Sequence, residues 1–423
     1  VSPKKFILLI MGSMVIAALL LIPSINNKNP NSERKDGSSI NVPTTRQLST
    51  AKTTMLNVSV SLSGAQFYAL EQLNQSFMTK YPNIKVMLSN TDPASGKSDV
   101  HNGWIELGQQ RLNADILLLD NSWVKPFAVN GHLKPADRVI AGETQSDQLV
   151  RLIEPLKWNG YIWAVPRDAN PYILLWNKSM LKEAGMEEPP KDWKNFLAAS
   201  ETIMGLYPDS KLINLSSGDL MQLIIWFESV AVLPANSAYT IDFGKEKLAE
   251  LGWLEEMEAY IGRRSLYDSW QLSEDFEQDR TLAAVVSWDI YKRMDAALRD
   301  KLLVDRESMN YPWMNGSSFA ISSNTRHEEE AAIWIKEMTG VEHQLEAYER
   351  FGLLPSRASL YSKSVYTDPA LMPPEWAASA LNESPAAGHE AANDPSWPSI
   401  WSEKERSWHL VTQDGIGDNP DFK

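Results

Sequence analysis

Tryptophan and carboxylate are the side chains here whose types suggest chemistry. The sequence holds 16 tryptophans in 423 residues, 54 acidic against 40 basic side chains, six histidines and no cysteine. An indole face can stack on the C–H face of a sugar ring, and a carboxylate accepts two hydroxyl hydrogen bonds in one plane. The competing reading is that most tryptophans fill cores. Lack of cysteine excludes disulfides, thiolate metal sites and thiol nucleophiles. A net charge of −14 argues against a nucleic-acid partner, which wants a basic surface. No H-E-x-x-H, G-x-S-x-G or Walker pattern occurs, and the histidines are scattered. Gly415-Ile416-Gly417 is half of a dinucleotide fingerprint with no strand leading into it, and Asp414, Asp418 and Asp421 lack calcium-loop spacing. No catalytic residue, cofactor or metal is therefore expected. Paired carboxylates for glycoside hydrolysis are defined by spatial separation, so an enzyme acting on polysaccharide stays as an alternative.

The elements that would position these groups follow from periodicity. Leu56, Val58, Val60 and Leu62 alternate with polar residues, as do Ile84, Val86 and Leu88, which predicts two half-buried strands. Between them Phe67, Leu70, Leu73 and Phe77 share one helical face. Residues 91–102 read as a polar loop and Trp104–Leu112 as a helix. Ile116–Leu119 is a continuous apolar run typical of a buried parallel strand, ending at Asp120. Asn159-Gly160 predicts a hairpin turn, Tyr172–Trp176 a strand, and Asn177 and Asp192 helix caps. Further on, Phe196–Met204, Met221–Val230 and Glu246–Ile261 read as helices, Leu282–Val286 as a buried strand and Phe319–Ile321 as another. Thr325 and Glu328 have capping-box spacing. Residues 369–397 look non-periodic, with a polar tail after Trp408. Alternating strands and helices define an α/β chain.

Lys4 and Lys5 precede the uncharged run Phe6–Ile22, read as a signal or membrane anchor (residues 1–22), with the anchor favoured by its length and an atypically cleaved signal as the other reading. Residues 23–54 are too polar to fold and read as a stalk.

The stretch from Gly160 to Trp193 carries a resemblance. Gly160-Tyr161-Ile162-Trp163-Ala164-Val165-Pro166, Leu175-Trp176-Asn177-Lys178, Ala184-Gly185-Met186 and Pro190-Lys191-Asp192-Trp193 resemble, in order, the central signature of extracellular solute-binding proteins of ABC importers, in the maltose-binding-like, carbohydrate-binding branch. Phe77, Tyr81, Pro82, Ile84 and Val86, the Ala114–Asp120 run, Phe276–Asp289 and Gly352–Arg357 resemble further segments, so that the likeness covers about residues 56–401. Departures are Trp163, Trp176, Asp192, Glu228-Ser229 and Asp279, and no lipobox cysteine is present.

The resemblance implies a two-lobed periplasmic-binding-protein-like fold of type II, with mostly parallel sheets and a ligand cleft between lobes. Residues 55–168 with 316–356 would form lobe 1, and 169–315 with 357–423 lobe 2. It implies hinge closure on a carbohydrate, delivered by a monomer to ABC permease subunits outside the cytoplasm, held to the membrane through the N-terminal segment. A tethered receptor reporting to a sensor protein is the alternative. The implied platforms are Trp123, Trp226, Trp288 and Trp313, with Tyr172 at the crossing; the implied polar contacts are Ser63, Asp120, Arg167, Asp168 and Asn315.

Overall fold

A computed structural model describes residues 53–92, 97–142, 146–216, 219–230, 252–254, 256–266, 269–309, 311, 314–366, 368, 371–383 and 396–414. The expected anchor, the expected stalk up to residue 52, Trp313, and residues 246–251 and 255 of the expected helix Glu246–Ile261 lie outside these residues.

The first half builds from β1 (Thr54–Val60), α1 (Gly64–Lys80), β2 (Ile84–Asn90), α2 (Lys97–Gln109), β3 (Ile116–Asp120), α3 (Asn121–Val129) and β4 (Leu133–Lys134). Hairpin β5 (Lys157–Trp158) and β6 (Tyr161–Ile162) turns at Asn159 and Gly160, both at positive φ as a primed turn requires. Then come β7 (Val165–Pro166), β8 (Asp168–Ala169) and β9 (Tyr172–Asn177), followed by α4 (Lys178–Glu183) and α5 (Trp193–Leu206). Asn177 accepts from the amides of Ser179 and Met180, and Asp192 from that of Asn195 at 2.8 Å, so both expected caps form.

The chain continues through β10 (Ile213–Asn214), α6 (Leu220–Val230), β11 (Ile261–Gly262), α7 (Ser269–Glu277), β12 (Ala283–Ser287), α8 (Trp288–Arg293), α9 (Ala296–Lys301) and β13 (Leu302–Asp305). It ends with β14 (Ser317–Ser322), α10 (Glu328–Met338), α11 (Val341–Phe351), β15 (Leu354–Pro355), α12 (Glu375–Asn382) and α13 (Trp397–Asp414).

Two sheets organise these elements. The first has six strands, ordered β2-β1-β3-β14-β4 with β7 also on β14; the second runs β11-β10-β12-β9-β13. Both are mixed, which corrects the expectation of mostly parallel sheets. β1, β2 and β3 are parallel, as are β10, β11 and β12, because a helix returns the chain between them. β14 and β9 arrive from the other sheet without such a helix and pair antiparallel. One core covers both faces of the first sheet, around Phe77, Phe127 and Trp334. The second sheet has a core on each face, one around Trp176, Phe196 and Trp226, the other around Phe276, Trp288 and Tyr348.

Other expectations shift for local reasons. α2 starts inside the expected loop because His101, a polar residue, occupies a core position stacked on Trp123 at 4.7 Å. Thr325 does not close a capping box. Its hydroxyl donates to Asp115 at 2.6 Å, and α10 begins at Glu328 without a side-chain cap. Ile261 is a strand residue rather than the end of a helix, residues 375–382 are helical, and α13 continues past Trp408 to Asp414.

Asp279 stands at φ +52, a left-handed conformation that asparagine, aspartate and glycine tolerate best. Its carboxylate accepts from Asn177 Nδ2 at 2.8 Å and Ser179 Oγ at 2.7 Å, tying the end of α7 to the start of α4. Asp279→Ala should cost about 2 kcal/mol in chemical denaturation, from lost bonds plus backbone strain. Asp279→Gly should cost less, since only the bonds are lost.

Candidate functional site

The chain passes between the sheets in segments that meet at one place. Residues 166–172 carry the first passage, and the described residues 305–309, 311 and 314–317 lead back into β14. β8 pairs with β15, Asp168 opposite Pro355 and Ala169 opposite Leu354, forming a two-stranded ribbon there. Strand ends from both sheets adjoin these segments. Asp120, the last residue of β3, pairs with Ser317 at the start of β14; Ser287, the last of β12, pairs with Tyr172 at the start of β9. Carboxyl strand edges of this kind are where open α/β sheets place ligands.

From the first sheet, Asp120 caps α3, accepting from Ser122 N at 3.1 Å and Ser122 Oγ at 2.8 Å. Its own amide donates to His101 Nε2 at 3.1 Å, so His101 is assigned as accepting through that nitrogen. Ser63 is exposed and caps α1 loosely, 3.4 Å from Gln66 N. From the second sheet, the hydroxyl of half-buried Tyr172 donates to Asp219 at 2.9 Å. Asn170 and Asp289 bond reciprocally, side chain to side chain and amide to side chain, each at 2.9 Å.

The passages are joined by Asp168. One oxygen accepts from Ser317 N at 3.1 Å; the other accepts from Ser317 Oγ and Arg167 Nη1, each at 2.9 Å. Next to it, Asn315 sits at φ +64 and donates to Asn170 O at 3.2 Å. Gly316 has room for nothing larger, because a Cβ there would lie 2.8 Å from both Asn121 Nδ2 and Asp168 O. Arg167 also borders a groove between α1 and α11, walled by Leu70, Leu73, Met338 and Phe351.

The structure thus brings Asp120, Arg167, Asp168, Tyr172 and Asn315 to the strand edges and passages, and Ser63 to the start of α1. It moves three expected platforms into cores. Trp123 is 2% exposed under His101, Trp226 is fully buried among Trp193, Phe196 and Trp253, and Trp288 is 1% exposed between Tyr291 and Trp376. Their faces are covered by protein, so the stacking role assigned to them is corrected. Asp168 is likewise corrected from a ligand contact, because its oxygens are engaged by Arg167 and Ser317. Trp270 was missed by sequence reasoning. It is 64% exposed in the first turn of α7, alone among the tryptophans whose side chains are described in being mostly exposed. Among the described residues no cluster of three or more histidines and carboxylates could hold a metal, and no helix is long and apolar enough to cross a membrane.

The family pattern for bacterial extracellular solute-binding proteins matches residues 75–374. The chain belongs to that family. Curated binding-protein relatives from Brucella abortus and Brucella suis are 24% identical over 94 residues, 22% of this chain. That match spans about a quarter, 23%, of the relatives' own length. Solved structures align over far more of this solute-binding protein. Maltose-bound MalE3 of T. maritima aligns with a TM-score of 0.63 at 17% identity over 86% of this chain and 95% of its own. The sugar-binding protein MalE of Xanthomonas citri gives 0.63 at 18% over 86% and 93%. An ABC transporter solute-binding protein of Agrobacterium vitis S4 with bound D-mannitol gives 0.63 at 15% over 86% and 94%. At these identities the likeness is one of fold: two lobes of α/β structure, as the Gly160–Trp193 signature implies.

Two outcomes follow. Trp288→Ala should cost roughly 3–5 kcal/mol of stability, as large aromatic truncations in cores do. Trp288→Phe should cost much less, since the indole N–H has no hydrogen-bond partner to lose. Denaturant midpoints of both variants check this. Burial pushes the Asp168 carboxyl above the ordinary carboxylate range, against the opposing pull of Arg167. A group raised on folding contributes stability that is complete below its unfolded value and is lost as pH rises through the folded one. Across that interval the wild type should lose stability more steeply with rising pH than Asp168→Asn; equal slopes in denaturation series would contradict burial as the dominant cause.

Proposed function

We propose that this protein captures a carbohydrate, an oligosaccharide, at the edges where its two sheets adjoin, closes about the β8–β15 ribbon, and delivers the ligand to an ABC permease. The observation that supports this most is the convergence of Asp120 and Tyr172, from opposite sheets, on passages held together by Asp168. Fixed passages flanked by two polar edges suit hinge closure around a hydroxyl-rich ligand. Residues 55–168 with 316–356 would move as one lobe, and 169–315 with 357–423 as the other. The maltose and mannitol in the similar structures belong to those proteins, and lend support to a polyol or sugar here. A binding role without bond cleavage fits a site built from capping and hinge contacts.

A thermal-shift screen against mono- and oligosaccharides tests the reading. A ligand at 100 times its Kd should add about 2.7 kcal/mol of stability. Asp120→Ala should weaken the saccharide found by about tenfold or more, the value of a charge-assisted hydrogen bond of roughly 1.5–3 kcal/mol. It should also cost about 1 kcal/mol of stability through the lost cap on α3. No shift with any saccharide would remove the reading.

The family is extracytoplasmic. Phe6–Ile22, a 17-residue uncharged run after Lys4-Lys5, would hold the folded part at the outer membrane face. Sequencing of the mature N-terminus checks this: a start shortly after Ile22 would contradict the anchor.

A further inference from the structure

We propose that Trp270 is an outer stacking platform of the second lobe, and that it makes the site select saccharides by chain length. The inference rests on the carbohydrate reading above. Trp270 is 64% exposed, and among the described residues it makes no ring contact or side-chain hydrogen bond. A single exposed apolar side chain is ordinary on a surface, so exposure alone says little. Its position says more. β10, β11 and β12 are parallel, and the carboxyl end of β12 lies against Tyr172 at the passage between sheets. The carboxyl end of β11 is therefore on the same edge, and the chain leaves it at Gly262 to begin α7 at Ser269, one residue before Trp270.

β11 is also the outermost strand of its sheet, with β10 and β12 between it and β9. Three strand spacings separate Tyr172 from that end, on the order of 14 Å at about 4.8 Å per spacing. A single pyranose ring does not cover that span. A ligand held near Asp120, Tyr172 and Asp219 reaches Trp270 only through further sugar units, one of which can lay its C–H face on the indole. Trp123, Trp226 and Trp288 have no open face to do this. Leu272 and Phe276, not Trp270, anchor α7 in the core, so the indole can be removed without disturbing the helix.

The test is calorimetry of the full chain and of Trp270→Ala and Trp270→Phe. The probes are malto-, isomalto-, cello- and xylo-oligosaccharides, each from the monosaccharide to the hexasaccharide. In the series that binds, Trp270→Ala should lose about tenfold in affinity for the longer members and nothing for the shortest binding member, about 1.4 kcal/mol appearing with length. Trp270→Phe should retain most of the affinity, and neither variant should change the melting temperature. Long members alone should protect wild-type fluorescence from acrylamide quenching. Equal loss at every length, or no loss at any, overturns the platform. Failure of the wild type to bind any series overturns the carbohydrate reading beneath it.

Discussion

One buried carboxylate carries the connection between the two sheets. Asp168 is 4% exposed and accepts three hydrogen bonds, two from Ser317 and one from Arg167. Ser317 opens the strand that returns to the first sheet, and Asp168 itself pairs with the β15 strand. A single side chain therefore fixes the spacing of the segments along which the chain travels between halves. Taking that charge out of water is costly, which is why its carboxyl is pushed upward even with a guanidinium beside it. The cost is tolerable only because the remaining lone pairs are satisfied by Ser317. Gly316 belongs to the same constraint: a side chain there would strike the Asp168 carbonyl and Asn121.

The ligand edges depend on this joint. Asp120 faces Ser317 across the ladder, and Asn315 reaches back to Asn170, which in turn holds Asp289. Tyr172 follows two residues later and is braced by Asp219. Asp120, Tyr172 and Asn315 thus lie in or directly beside the passages. Rotation of one half against the other would carry these groups together, with the cores around Trp334 and around Trp226 each lying within one half.

Much of this was legible in the sequence wherever the signal is local. The alternation in β1 and β2, the Asn159-Gly160 turn, and the caps Asn177 and Asp192 all appear where short-range chemistry puts them. Asp279, a departure from the resembled pattern, became intelligible only with its φ of +52. The tryptophans were harder. Trp226 lies in α6, which is apolar on nearly every face, a pattern that already favours full burial over a ligand wall. Trp288 does follow its strand as expected, but its ring turns inward onto Tyr291 and Trp376. Strand-end position sets where a backbone goes and leaves side-chain direction open. His101 hid α2 because a polar residue took a core position. The Asp168–Ser317 joint spans 149 residues of chain and has no local signature. Trp270 was overlooked because exposure depends on what the rest of the chain leaves uncovered.

The central claim is that the two halves close on a saccharide about the Asp168 joint. Small-angle X-ray scattering of the protein, free and saturated with the saccharide that most raises its melting temperature, tests this directly. The account predicts a smaller radius of gyration in the bound state, reached through a two-state titration that follows binding. An unchanged radius at full saturation would contradict closure and leave a rigid scaffold in its place.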